Sequence, residues 1–186
     1  MATNNIEICN AALSRVGAPF ISALTDTDKR SKLCNLMYDR VRKKLLRSHP
    51  WNFAMKRAEL VNNGIEPAFG YSNEFALPSD YLRAISSEHS DDEYKIEGNY
   101  LRTNETEVKL LYIADIEDTE AFDVMFDELF ALTLAFELSY SLVQSVSLKQ
   151  GIASELVSML RTTRSIDAQE GTPDDFEFDV WLDARN

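Results

Sequence analysis

The chain is short of the residues from which most active sites are assembled. Among 186 residues it has two cysteines and two histidines. Cys9 and Cys34 each fall at a helix-like apolar position, which reads as a pair of buried free thiols, with a disulfide as the alternative. His49 and His89 stand in dissimilar contexts, and neither has a cysteine or histidine at a ligand spacing, so no zinc site is expected. There is no glycine-rich phosphate loop and no G-x-S-x-G. No apolar run approaches the roughly 20 residues that cross a bilayer. The opening "MATNNIEICN" has neither the basic nor the apolar region of a secretory signal, so neither export nor membrane insertion is expected. The adjacent acids Asp91-Asp92 and Asp174-Asp175 could in principle hold a cation or move a proton. Acids in polar loops are ordinarily solvated, and a catalytic carboxylate needs burial or a charged neighbour to tune it. No catalytic residue, metal ligand or cofactor site is therefore assigned, and the chain is read as something other than an enzyme.

Positive charge is scarce as well. Lys and Arg number 19 against 31 acids, a formal net charge of −12. What there is lies concentrated: residues 29 to 57 hold ten of the basic residues and one acid, Asp39. Residues 115 to 148 hold eight acids and no Lys or Arg, and residues 167 to 183 hold seven acids and none. Such polarity suits a subunit that meets a copy of itself or a differently charged partner.

Apolar spacing predicts four helices. In the first, about Asn4 to Val16, Ile6, Cys9, Leu13 and Val16 form one stripe; Gly17 and Pro19 stop it. The second runs from about Thr27 to Ser48 with Thr25 or Asp26 as N-cap. Leu33, Met37, Val41 and Leu45 make its core face, while Lys32, Arg42, Lys43 and Arg47 fall opposite, with Asp39 placed to pair with Lys43. Pro50 ends it, and Trp51 and Phe53 are expected to pack under the helix end. A third helix follows Asp118 and is apolar nearly all round in its later half, which predicts a central position. The fourth covers about Ser147 to Ser165.

Between the pairs the pattern becomes extended. "NFAMKRAEL" alternates as a strand, "NEFALP" is a shorter one, and Pro78-Ser79-Asp80 marks a turn. "EYKIEGNYLRTNETEVKLLYIA" reads as an antiparallel meander of two or three strands, with a tight turn at Gly98-Asn99. The fold class expected is mainly α within α+β: a bundle of about four helices, a small inserted antiparallel β region and an extended C-terminal tail. Its parts are a first helix pair (1–50), the β region (51–114), a second helix pair (115–166) and an acidic aromatic arm (167–186).

Two features invite a functional reading. The basic helix could present a merely solvated face, meet an acidic surface of another subunit, or touch DNA phosphates without reading bases. The arm places Phe176, Phe178, Val180 and Trp181 among acids with no helical period. That suits a docking segment that orders on binding, or a tail folded back on its own domain.

The stretch "ICNAALSRVGAPFISALTDTDKRSKLCNLMYDRVRKKLLRSHPWNFAMKRAEL" resembles the N-terminal part of phage tail tubular protein A and related head-to-tail adaptors. The similarity lies in a short helix ending Arg-Val-Gly-x-Pro, the "ISALTD" connector, a long helix, and a Trp-x-Phe opening the first strand. "FALPSDYLRAI" is similar to the family's Leu-Pro-x-Asp-Tyr-Leu element. These cover about the first 85 residues; the later half matches in element order only. The resemblance implies a virion structural protein at the head–tail interface, made in the host cytoplasm. It implies a ring, usually twelve-fold, that binds the portal protein and a downstream tail protein while DNA passes non-specifically through its lumen. On that expectation Phe176, Phe178, Val180 and Trp181 dock on the portal or tail. Lys32, Arg42, Lys43 and Arg47 contact the channel or the next subunit, and no cofactor is needed. The alternatives are a small DNA-binding regulator using the basic helix 29–49 and, behind it, a tail-associated hydrolase.

Overall fold

The computed structural model describes residues 4–87 and 93–169. Its first helix, α1 (Asn5–Arg15), begins where Asn4 Oδ1 accepts from the amides of Ile6 and Glu7 at 2.9 Å, and Glu7 accepts from the Asn4 amide at 3.0 Å. This reciprocal box satisfies amides that the first turn leaves unpaired. At the other end Gly17 takes φ 70°, where an L side chain would be strained. Helix α2 spans Lys29–Ser48, starting later than its composition predicts. Its cap is Asp28, whose carboxylate accepts from the amides of Arg30 and Ser31. His49 is extended, as the residue before a proline must be, and the Trp51 indole donates 2.9 Å back to the Leu45 carbonyl. The residues 52–54 form a 3-10 turn rather than strand, so the first strand, β1, is confined to Met55–Glu59.

Helices α3 (Val124–Val143) and α4 (Val146–Gln169) return after the β region. Helix α3 packs against α1, α2 and α4 together. That explains its nearly uniform apolarity: Phe126, Leu129, Phe130, Leu132, Leu134 and Leu138 are all buried, although they do not share one stripe. Trp51, Phe53, Phe122 and Phe126 interlock at ring separations between 4.9 and 6.5 Å, mostly edge to face. Full burial of each such side chain contributes roughly 1.5–3 kcal/mol. Cys9 and Cys34 are free and buried in this same core.

The β region corrects the expectation of a bundle with a small insert. Of the described residues 50% are helical and 19% are strand, an α+β mixture with two three-stranded antiparallel sheets. One sheet has the order β1-β6-β3, with β3 at Tyr81–Ser87 and β6 at Lys109–Ala114. The other, β2-β5-β4, comprises Asn73–Ala76, Tyr100–Thr103 and Tyr94–Glu97. The meander predicted for the third quarter of the chain is therefore split. Gly98 turns β4 into β5 at φ 63°, but β6 leaves that hairpin and becomes the middle strand of the other sheet. Strand β3 escaped the sequence pattern for a physical reason. Its register against β6 shifts between Tyr81 and Arg83 and again between Ala84 and Ser86. Each bulge advances one side chain out of step, which erases the period of two. The bundle picture fails because β3 was absent from it and β6 was assigned to the wrong neighbours.

The first sheet lies against α2 through β3 and β6. A smaller apolar core of Leu60, Phe75, Leu101, Leu110 and Tyr112 fills the β region. Polar ties complete it: Glu74 accepts from Arg102 Nε at 3.1 Å, and Asp80 accepts from Tyr112 at 2.9 Å and from Lys56 at 2.7 Å. Burial pushes Tyr112 up to about 12, and the Asp80 carboxylate adds to it. Burial opposes ionisation of Asp80 too, but the Lys56 and Tyr112 hydrogen bonds outweigh it and hold the carboxyl below its usual range.

Candidate assembly surface

Helix α2 turns one arc to α3 and the sheet and another to solvent. Ser31, Cys34, Tyr38, Val41, Leu45 and Leu46 are buried. At 100° per residue, Lys32, Leu36, Arg40, Lys43 and Arg47 share the outward arc, all exposed. From Lys32 to Arg47 this stripe is about 22 Å long at 1.5 Å per residue.

Its members are not equally free. Lys43 Nζ lies 3.1 Å from Asp115, and Arg47 donates to the Leu82 carbonyl. Beside them Lys44 pairs with Glu137 at 3.2 Å. Lys32 and Arg40 make no ion pair among the described residues. Between these two stands Leu36, 57% exposed, an apolar break in a cationic row.

Arg42 does not belong to that row. Sequence spacing puts it with Lys32, Lys43 and Arg47, yet it is 2% exposed. Its guanidinium donates to the Ile116 carbonyl at 3.1 Å and lies 3.2 Å from Asp115, 3.4 Å from Glu117 and 3.6 Å from Asp39. Asp39 therefore serves Arg42 and not Lys43. The reason is angular: Arg42 sits about 80° from Lys32, on the flank facing the chain that leaves β6. A charge there is tolerated because four oxygens surround it. Arg40, which the spacing argument passed over, takes its place outside; a full angular projection of α2 would have separated the two.

At the C-terminal end of α2, α4 is pinned down. His49 Nε2 is 2.9 Å from Asp167 Oδ2, and the other Asp167 oxygen accepts from the Asn52 amide at 3.0 Å. Asn52 Nδ2 donates to the Asp167 carbonyl at 2.6 Å, and Arg164 donates to the Ser48 carbonyl at 3.2 Å. Burial lowers the His49 pKa; Asp167 works against that shift, and the charges of Arg164 and Arg83 add to it. This junction fixes the last turn of α4 against the end of α2.

The other predicted docking residues, Phe176, Phe178, Val180 and Trp181, lie outside the described residues, as do Asp91-Asp92 and Asp174-Asp175. A second exposed feature was not foreseen. The β1–β2 connection carries Val61, Ile65 and Phe69, the last 89% exposed. Phe69 lies in "EPAFGYS", where proline and glycine mark a loop but nothing marks an outward aromatic. Among the described residues no group of three or more His, Cys, Asp or Glu could hold a metal ion, and no helix is long and apolar enough to cross a membrane. Neither a family model nor a curated protein matches the chain.

Proposed function

We propose that the chain is a head-to-tail connector subunit of a tailed phage, built to meet copies of itself in a ring beneath the portal protein. The observation that carries this reading is the outward stripe of α2. Four cations and one leucine share an exposed arc of one helix, and two of the cations, Lys32 and Arg40, make no ion pair among the described residues, on a chain whose net charge is strongly negative. Cations gathered on one rigid helix, facing away from a core this well filled, are suited to an acidic surface on the next subunit. The exposed acids Asp118, Glu120 and Asp123 supply such a surface. The similarity of the first 85 residues to tail tubular protein A adaptors gives the class of assembly. In it the arm bearing Phe176, Phe178, Val180 and Trp181 docks on the portal or on the following tail protein, and DNA passes through the lumen.

The test is assembly on a portal complex, followed by electron microscopy and co-sedimentation. The full chain should add a ring to the portal, and a chain ending at Gln169 should fold normally but fail to attach. Attachment undiminished by that truncation would remove the docking role of the arm, and absence of any ring would remove the connector reading. The same stripe on an isolated DNA-binding regulator would instead give duplex affinity that falls steeply with salt; no binding at about 50 mM salt excludes it.

A further inference from the structure

We infer that the β1–β2 loop of one copy docks on the α3–α4 corner of a second copy, with Glu66 meeting Lys29, head to tail. The contact depends on copies of this chain meeting each other and not on the portal, so it can fail while the connector reading stands, and the reverse.

The loop is a knob on a closed base. Asn62 Nδ2 donates to Asn73 Oδ1 at 3.0 Å, the Asn63 amide to the Glu74 carbonyl at 2.9 Å, and the Ser72 amide to Asn104 Oδ1 at 3.1 Å. Polar ties therefore hold its two feet together. Leu60 before it and Phe75 after it are buried in the smaller core, yet Val61, Ile65 and Phe69 between them are exposed. An apolar tip on a fastened base is a contact surface without its partner. Glu66, next to Ile65, is exposed and makes no ion pair among the described residues.

The corner has the same composition with the opposite sign. Gln144, at φ 55°, turns α3 into α4 and donates its amide to the Tyr140 carbonyl at 3.1 Å. Tyr140 and Val143 on α3 and Val146 on α4 are all exposed. Lys29, the first residue of α2, donates from Nζ to the Ser141 carbonyl at 2.6 Å, which seats an ammonium at this corner. It too makes no ion pair among the described residues. Three apolar residues and one unpaired anion thus face three apolar residues and one unpaired cation. Phe69 and Tyr140 supply the aromatic rings in which interface cores are rich. The α2 stripe offers the loop more cations but one large exposed apolar side chain, Leu36, against three here.

Position makes this a contact between copies. Phe122 and Phe126, at the start of α3, pack on Phe53, just before β1. From there α3 runs about 30 Å through the larger core to the corner. Strand β1 runs about 17 Å the other way in the chain, from Met55 on the larger core to Leu60 on the smaller one, where the loop begins. Matched surfaces in different halves of one chain join copies head to tail, and repetition closes a ring or extends a filament.

The experiment uses the full chain, mixed as nitrogen-14 and nitrogen-15 copies, free and assembled on a portal complex. A carbodiimide joins a lysine amine to a carboxylate in direct contact, and linked peptides are mapped by mass spectrometry. Lys43–Asp115, 3.1 Å apart, is the standard within one copy. The result expected is a Lys29–Glu66 link in mixed-isotope products. Phe69→Ser should lower it about tenfold, the scale of losing one interface anchor, and leave the standard and the denaturant midpoint unchanged. Val146→Asn should lower it by less. Lys29→Glu and Glu66→Lys should each weaken association of copies in sedimentation, and an equimolar mixture of the two should recover it. Links confined to single-isotope products would overturn the inference and give the loop to its own corner. An intact standard with no link, a link indifferent to Phe69→Ser, or a mixture no more associated than its parts would also overturn it. A ring on the portal without the link would leave the connector reading and remove this contact; the link without a ring would do the opposite.

Discussion

The helical half and the β region are held together by different means. Around α3 the contacts are large and apolar, with Trp51, Phe126 and Phe130 sealed from solvent and packed through edge-on and tilted ring contacts. The sheets share a smaller apolar core and rely on Glu74–Arg102, Asp80–Tyr112 and Asp80–Lys56. Apolar burial is non-directional and has no charge for salt to screen, whereas hydrogen-bonded ion pairs are directional and screened. The helices therefore form the rigid platform on which the α2 stripe is displayed, and the β region is the half that yields first.

The contrast can be broken from its strong side. Phe126→Ala should cost about 3–5 kcal/mol, seen as a lower denaturant midpoint, because the surrounding rings cannot close the space. Arg42→Ala should follow at roughly 3 kcal/mol, since a fully buried side chain is lost, the Ile116 carbonyl loses its donor and Asp115 keeps only the half-exposed Lys43 as counter-charge. On the weaker side Glu74→Ala should cost about 1–2 kcal/mol, and this loss should shrink in high salt while that of Phe126→Ala does not. A salt-independent Glu74 effect would erase the distinction between the halves.

Acid sharpens it differently. Burial depresses the His49 pKa below its unfolded value, so the unfolded chain binds the proton more readily. This contribution is fully present above the unfolded value of about 6.5 and is lost as pH falls below it through the depressed folded value. Thermal midpoints of the native chain should therefore drop more steeply between pH 7 and pH 5 than those of His49→Gln, and parallel curves would count against the assignment. Smallest in stability is Lys32→Glu, within about 0.5 kcal/mol, because the residue is exposed and unpaired by any described acid. On the proposed connector reading its effect falls on assembly, measured as ring formation on the portal.

The helices were legible in the sequence because stripes, caps and stops agree in each. Asn4, Gly17 and Pro50 mark their ends, and Trp51 is buried as the helix stop predicts. The sheets were less legible because β3 carries two bulges and β6 pairs with strands far from it in sequence. Of the candidate surface, Lys32, Lys43 and Arg47 were placed outward correctly. Arg42 was not, since a residue at the edge of an apolar stripe is buried or exposed according to what passes beside it. Here that is Ile116 and its acidic neighbours, 73 to 75 residues away in sequence.

Arg47 belongs to two structures at once. It closes the outward stripe, and it also donates to the carbonyl of Leu82, the residue left without a strand partner at the first bulge of β3. Any carboxylate or phosphate that draws Arg47 away removes that donor from the edge carbonyl. A partner that took Arg47 would thus undo a tie between α2 and the rim of the sheet. Faster amide exchange along β3 on partner binding would record that release, and unchanged exchange would mean that Arg47 keeps to the sheet throughout.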